Sequence, residues 1–235
     1  MKFIITDDQN IHQAKDKLVV VIDVLRAFTT ACYVMNNNPK DYIIVSDLSQ
    51  AYELKKENPD YILMGERDGK NLPGFDYGNS PAEIKNLDFS GKTIVQTTTL
   101  GTKGVVSALK HTKEIITGSF TNAKAIINYI KKENPKIVYL FCTDSRPNDN
   151  EDLMLAKYIK GYFENKMLDI NVIRENLIKQ SQLIKSGVWY LFNSKGKYAK
   201  SDFSLALEPD KFDFVMKIYL DKNKLVHLKR IECKN

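Results

Sequence analysis

Acidic and basic side chains cluster where apolar runs of the sequence end. Asp23 closes the run LVVVID, Glu66 follows YILMG, and an acid pair opens a helical segment after IVYLFC. The acids and the arginines among them are Asp23, Arg26, Glu66, Arg67, Asp76, Glu151 and Asp152. Carboxylate oxygens bind hard divalent cations, and guanidinium groups bind phosphate in a bidentate manner. The pattern therefore predicts one pocket that holds a cation and a phosphate together.

The segment QTTTLGTKG supplies neutral donors after another apolar run. Thr98, Thr99 and Thr102 carry hydroxyl groups, and Gly101 opens a predicted helix whose free amides can hold an anion. The segment lacks the GxxxxGK[ST] pattern of a P-loop. It predicts anion binding without indicating a nucleotide.

Residues 65–81, GERDGKNLPGFDYGNSP, contain four glycines, two prolines and five charged residues. So polar a stretch has little apolar surface to bury, and something else must order it. We expect it to fold over the site, with its glycines permitting tight turns.

These residues need a scaffold that brings strand ends together. Short apolar runs at 17–23, 42–47, 61–66, 92–98, 113–119 and 136–142 alternate with amphipathic segments. This alternation predicts a three-layer α/β fold with a largely parallel sheet, whose ligands gather at the carboxyl ends of the strands. In residues 187–235, apolar and polar residues alternate more strictly, which predicts antiparallel strands or a hairpin. We expect a single unit spanning 1–235, made of a main α/β part at 1–186 and a closing C-terminal subdomain at 187–235.

Composition excludes several classes of protein. The chain has 235 residues, 43% of them hydrophobic, and a net charge of +6. No apolar run approaches the roughly 20 residues that cross a bilayer, and MKFIITDDQN lacks the features of a signal peptide. Three dispersed cysteines favour a reducing compartment. We expect a cytoplasmic protein that binds a small anion and neither nucleic acid nor membrane, and apolar pieces near the C-terminus are compatible with a homodimer.

The motifs VVIDVLRAFTT, GERxGxxxxGFDxGNSPxE, TTTxGT and a later helix that begins with ED resemble those of the 2-phosphosulfolactate phosphatase family. The resemblance covers nearly the whole chain, with a weaker match at Ser186, Gly187, Gly196, Asp202 and Phe203. It implies a Mg²⁺-dependent α/β phosphatase that converts 2-phospho-3-sulfolactate to 3-sulfolactate and phosphate in coenzyme M biosynthesis. Two segments depart from the family. Leu100 stands where a polar residue is common, and one possibility is that its side chain faces the core. The loop TDSRPNDN replaces a glycine-rich loop.

On this resemblance, a metal ion would take its ligands from Asp23, Glu66, Glu151 and Asp152. Arg26 and Arg67 would bind phosphate or sulfonate oxygens, and the catalytic set would be Asp23, Arg26, Glu66, Arg67 and Asp76. Substrate-binding groups would be Arg26, Arg67, Asn79, Ser80, Thr98, Thr99, Gly101 and Thr102. Both a carboxylate nucleophile and direct attack by metal-activated water fit this set, and we favour the second.

Two other functions remain open at this point. An isochorismatase-like amidohydrolase would use Cys142 as its nucleophile, although a cysteine that closes an apolar strand is usually part of the core. A non-catalytic phosphate- or sulfonate-binding protein would use the same arginines and threonines. The three histidines lie outside all of these motifs.

Overall fold

A ten-stranded sheet organises the protein, as seen in a computed structural model that describes residues 1–144, 150–183 and 199–234. Its strands are β1 (Lys2–Thr6), β2 (Leu18–Ile22), β3 (Asp41–Ile44), β4 (Ile62–Arg67), β5 (Lys70–Asn71), β6 (Thr93–Thr97), β7 (Ile115–Gly118), β8 (Ile137–Cys142), β9 (Phe214–Leu220) and β10 (Val226–Glu232). All six apolar runs singled out in the sequence form strands. The predicted α/β class with a largely parallel sheet is confirmed.

Helices pack on both faces of this sheet. They are α1 (Ala27–Asn36), α2 (Leu48–Glu57), α3 (Pro81–Ile84), α4 (Gly101–Leu109), α5 (Ala123–Glu133), α6 (Glu151–Phe163), α7 (Ile170–Leu183) and α8 (Ala199–Ala206). In β2, Val20 and Ile22 enter the core shared with α5 and α6, while Val19 and Val21 enter the core shared with α1 and α4. Because both faces of β2 are covered, the strand is apolar throughout. Within the described ranges, no helix has the length and apolar character needed to cross a membrane.

The strand order is β1-β8-β2-β7-β9-β10-β3-β6-β4-β5. The group β1, β8, β2 and β7 is parallel, and so is the group β3, β6 and β4. The antiparallel hairpin β9–β10 joins them, pairing with β7 on one side and β3 on the other. Three antiparallel pairings in succession make the two parallel groups run in opposite directions.

In a flat sheet, this reversal would put the carboxyl ends of the two groups at opposite edges. Adjacent strands twist by roughly 20–25°, so the five steps from β2 to β6 accumulate roughly 100–125° and offset most of the reversal. The start of α4, directly after β6, does reach the end of β2: a Cβ atom on Gly101 would lie 2.6 Å from Asp23 Oδ2. The residues that follow β6 and those that follow β2 therefore lie side by side.

The C-terminal segment differs from the sequence-based expectation in two respects. The hairpin forms, but it lies inside the main sheet, whereas we expected it in a closing subdomain. Residues 199–206, expected to be extended, form helix α8, which packs against α3. Ser186, Gly187 and Gly196 lie outside the described residues, as do residues 145–149 of the loop TDSRPNDN.

We expect Gly65→Ala to lower the free energy of unfolding by about 3–5 kcal/mol, because two costs combine. Gly65 has a φ of +147°, and a Cβ atom there would lie 1.8 Å from the Thr97 backbone oxygen in the neighbouring strand. Urea denaturation of the purified variant measures the loss.

The matched control is Gly91→Ala, which also replaces a glycine of positive φ (+75°) but meets no atom within 4 Å. Only the conformational cost remains there, about 1–2 kcal/mol. Equal losses in the two variants would show that the contact between β4 and β6 is not the constraint at Gly65.

Candidate active site

Two buried carboxylates flank the chain segment that leaves β2. Asp23 Oδ1 accepts a hydrogen bond of 2.9 Å from the Ala27 amide, which starts α1. Asp152 Oδ1, from the first turn of α6, accepts one of 2.8 Å from the Val24 amide. The two residues are only 7% and 2% exposed. Residues 129 positions apart in sequence thus form one acid pair, hereafter the Asp23–Asp152 pair.

The surroundings of this pair disfavour its negative charge. Burial raises the pKa of Asp23 to about 6; the charges of Glu66 and Asp144 act in the same direction, while hydrogen bonds from Ala27 and Thr143 oppose them. Burial also raises the pKa of Asp152 well above its ordinary value, and the neighbouring Asp23 and Glu151 charges add to this effect. A cation placed here would relieve the repulsion, and the oxygen donors are those that Mg²⁺ prefers.

Residues 143 and 144, just beyond β8, orient Asp152. Its Oδ2 accepts hydrogen bonds of 3.2 Å from both Thr143 Oγ1 and the Asp144 amide. Asp144 is itself buried at 6% exposure. Asp144 was not among the acids predicted from the sequence, although it follows a strand by two residues and so shares the signal of the others. Glu151, also buried, starts α6 beside Asp152.

Glu66 has a different environment from the pair. Its carboxylate accepts hydrogen bonds from the Gly69 amide at 2.7 Å, the Thr99 amide at 2.7 Å and Thr99 Oγ1 at 2.8 Å. Thr99 Oγ1 in turn accepts one from the Asp68 amide at 2.8 Å. Glu66 therefore fastens the start of the 65–81 segment to the turn before α4, while its charge still acts on Asp23.

Asp76 fastens the middle of the same segment. Its Oδ2 accepts hydrogen bonds from the Leu63 amide at 2.8 Å and from Lys55 Nζ at 3.3 Å, and its side chain is 39% exposed. Nearby, Tyr52 donates a hydrogen bond of 2.7 Å to the Pro73 carbonyl. The structure places Asp76 against β4 and α2, with no recorded contact to the acid pair. Hydrogen bonds accepted by the carboxylates of Glu66 and Asp76 order this polar segment.

The two predicted arginines lie in different settings. Arg67 donates to the backbone oxygens of Glu66 and Ser46, both at 2.9 Å, and to Thr97 Oγ1 at 2.6 Å. Arg26 forms an ion pair of 2.5 Å with Asp202 of α8. Arg26 shares the β2–α1 turn with Asp23, whereas Arg67 braces the ends of β3, β4 and β6.

The threonine-rich turn is bonded mostly to itself. Thr98 and Thr102 exchange hydrogen bonds between side chain and backbone, each 3.0 Å long, at the start of α4. Gly101 between them lets the helix approach Asp23 closely, because an added Cβ would fall 2.5 Å from Ala27 Cβ. The helix terminus thus lies against the acid pair. Asn79 is buried nearby and accepts a hydrogen bond of 3.4 Å from Gln96.

A cleft of about 530 Å³ opens beside this site. Ser46, Lys103, Phe141 and Thr143 contribute to its walls, so it adjoins residues that contact Arg67 and Asp152. Leu100 also lines the cleft and is 45% exposed, which excludes a place in the core. The cleft gives a small molecule access to this edge of the sheet.

Cys142 ends β8 and is buried, and its burial together with nearby acids raises the pKa of its thiol. A nucleophilic cysteine needs the opposite shift. This environment argues against the amidohydrolase alternative.

A metal site requires several ligand side chains close together in space. Across residues 1–144, 150–183 and 199–234, no three His, Cys, Asp or Glu side chains are grouped so that they could hold a metal ion. Mg²⁺ needs fewer, because it commonly takes one or two carboxylates and completes its shell with water and substrate phosphate oxygens. The Asp23–Asp152 pair fits that smaller requirement.

Comparisons with known proteins identify a single family. A family model described as 2-phosphosulpholactate phosphatase matches residues 4–220. Proteins named probable 2-phosphosulfolactate phosphatase are similar to the chain. The one from Clostridium tetani is 41% identical over 176 residues (73% of this chain, 75% of that protein), and the one from Caldanaerobacter subterraneus is 31% identical over 220 residues (89% and 90%).

The protein of that name from Bacillus subtilis is 36% identical over 145 residues, which is 62% of this chain and 63% of the relative, slightly under two thirds of its length. The motifs around Asp23, the 65–81 segment and the start of α4 lie within the residues that the family model matches. The chain belongs to the 2-phosphosulfolactate phosphatase family.

Proposed function

We propose that this protein hydrolyses a small anionic phosphate monoester in a Mg²⁺-dependent reaction, with 2-phospho-3-sulfolactate as substrate and 3-sulfolactate and phosphate as products. One observation carries the proposal. The buried acids Asp23 and Asp152, whose pKa values are raised, adjoin an arginine-bearing turn, and Thr143, which donates a hydrogen bond to Asp152, lines an open cleft. Family membership supports the class of reaction and the substrate.

Asp23 and Asp152 would hold the Mg²⁺ ion. Such an ion would supply neutralisation of the negative charge on the phosphoryl group. In the proposed hydrolysis a water oxygen bonds to phosphorus as the ester P–O bond breaks, and a proton of that water goes to the departing sulfolactate oxygen. The amides of Val24 and Ala27 keep the two carboxylates in place, and the Thr143 hydroxyl donates a further hydrogen bond to Asp152. Since these bonds exist before any ligand binds, little reorganisation is needed during the reaction.

The remaining groups bind the substrate and shield it from bulk water. Nη1 of Arg26 bonds Asp202, which leaves other guanidinium N–H groups for phosphate oxygens. Lys103 in the cleft provides a positive charge for the second anionic group of a sulfolactate ester. Glu66 holds the 65–81 segment against the start of α4, which limits access of solvent from that side.

The purified protein is expected to release phosphate from 2-phospho-3-sulfolactate in the presence of MgCl₂ and to lose this activity after treatment with a chelator. Asp23→Asn and Asp152→Asn should each lower kcat/KM at least about 100-fold, because the substrate and ion lose their positions. A colorimetric phosphate assay with a panel of monoesters, sulfonated and not, measures both effects.

Asp88→Asn provides the matched control, because Asp88 is an exposed acid that bonds only its neighbour Ser90 among the described contacts. It should retain wild-type activity and a wild-type increase in melting temperature with MgCl₂, whereas the two active-site variants lose that increase. Full turnover in chelator would refute metal dependence. Binding of a phosphonate analogue without turnover of any ester would instead identify an anion-binding protein.

In metal-free buffer, Asp23→Asn should raise the free energy of unfolding at pH 7.5 by up to about 3 kcal/mol. The pKa of Asp23 rises from 3.8 to about 6 on folding, so ionised Asp23 opposes folding above pH 6, and the cost vanishes below pH 3.8. The stability gain should therefore shrink as the pH falls from 7.5 to 4. Asparagine can still accept the hydrogen bond from Ala27.

Urea titrations in chelator across this pH range provide the measurement. Asp88→Asn should give no gain at pH 7.5, since hydrogen bonds to Ser90 lower the pKa of Asp88. Lower stability of Asp23→Asn than of wild type at pH 7.5 in chelator would contradict the assigned cost of burying this charge.

A further inference from the structure

Asp202 of α8 lies far from the predicted site residues in sequence but contacts two of them. Its Oδ2 is 2.5 Å from Arg26 Nη1, and its Oδ1 accepts a hydrogen bond of 2.7 Å from Ser80 Oγ. The Ala82 amide at the start of α3 donates a further bond of 3.0 Å to Oδ1. This carboxylate therefore connects α8, the end of the 65–81 segment and the β2–α1 turn.

Arg26 and Asp202 are buried to different extents. The side chain of Asp202 has no exposed surface, whereas that of Arg26 is 19% exposed. Asp202 is fixed from behind by Ser80 and Ala82 and presents its second oxygen to the guanidinium. An arginine has five N–H donors, and the bond to Asp202 uses Nη1. The exposed part of Arg26 thus remains able to bind an anion while its orientation is set from the buried side.

Arg26 lies close to Asp23 in the chain, so a restraint on its side chain affects ligand binding at this site. Arg26 immediately precedes Ala27, whose amide bonds Asp23 Oδ1, so Arg26 and Asp23 belong to the same turn. A long arginine side chain loses conformational freedom when it binds a ligand, and a prior restraint removes part of that cost. A carboxylate bonded in this way also opposes withdrawal of the guanidinium from the site.

We propose that Asp202 is a positioning residue, which orients Arg26 so that its remaining N–H groups meet the phosphoryl oxygens of a substrate held beside Asp23. The inference rests on the proposed function for the identity of the ligand. It assigns no contact between Asp202 and the substrate itself. Asp202 acts through Arg26, and its effect must disappear when Arg26 can no longer form the paired geometry.

Asp202→Asn is the primary variant, because asparagine keeps the size of the side chain and an oxygen for Ser80 and Ala82 but loses the charge that holds Arg26. Isothermal titration with inorganic phosphate in MgCl₂ should give a Kd about 10- to 100-fold higher than that of wild type. KM for the phosphate ester should rise more than kcat falls. Asp210→Asn, whose carboxylate bonds the Lys124 amide away from the site, should match wild type.

The decisive comparison repeats Asp202→Asn in an Arg26→Lys background. Lysine keeps the positive charge but lacks the planar guanidinium. Adding Asp202→Asn to the Arg26→Lys protein should therefore change its phosphate Kd less than about 2-fold. A purely structural role predicts instead that Asp202→Asn lowers the unfolding midpoint equally in both backgrounds and leaves phosphate affinity unchanged in each. That result would overturn the proposal.

Ser80→Ala covers the case in which Asp202→Asn does not fold, since it loosens Asp202 without removing its charge. It should weaken phosphate binding several-fold in the wild-type background and have no effect with Arg26→Lys; unaltered binding in both would overturn the proposal.

Because titration with phosphate does not depend on turnover, a wild-type protein that binds phosphate but hydrolyses no ester would refute the proposed function while the role of Asp202 was still measured. A wild-type protein that binds no phosphate would refute the role of Asp202, and the release of phosphate from esters would still test the proposed function separately.

Discussion

Electrostatic repulsion between buried carboxylates is the constraint on which this site depends. Asp23 and Asp152 are held by backbone amides at the two sides of one turn, in surroundings that raise the pKa of both. A fold selected only for stability would avoid this arrangement, since neutral side chains of similar size could accept the same hydrogen bonds. Under the proposed function, a cation bound between these acids would offset the cost of burying them.

The central hairpin makes this encounter of acids possible. Strands β9 and β10 lie between two parallel groups and reverse one relative to the other. The start of α4, directly after β6, nevertheless reaches the end of β2, where Gly101 allows α4 to contact Asp23. Segments from both parallel groups and from the C-terminal helix α8 therefore surround a single edge of the sheet.

Carboxylates serve two different purposes in this protein, and their hydrogen-bond partners distinguish them. Glu66 and Asp76 accept bonds from amides of the 65–81 segment and its neighbours, which explains how so polar a stretch is ordered without an apolar core of its own. Asp202 has a similar network but adds an arginine to it. Asp23 and Asp152, in contrast, are buried side by side, and the charge of Asp23 raises the pKa of Asp152.

The sequence by itself determined the α/β class, six of the strands, the family and the acids at the strand ends, because local apolar periodicity and motif spacing are properties of contiguous residues. It did not determine the place of the C-terminal hairpin within the sheet or the helical state of residues 199–206. Nor could it separate Asp23 and Asp152 from Glu66 and Asp76, or associate Asp202 with Arg26, 176 positions away. Those outcomes depend on strand order, twist and burial, and only the tertiary structure decides which distant amides and charges surround a given carboxylate.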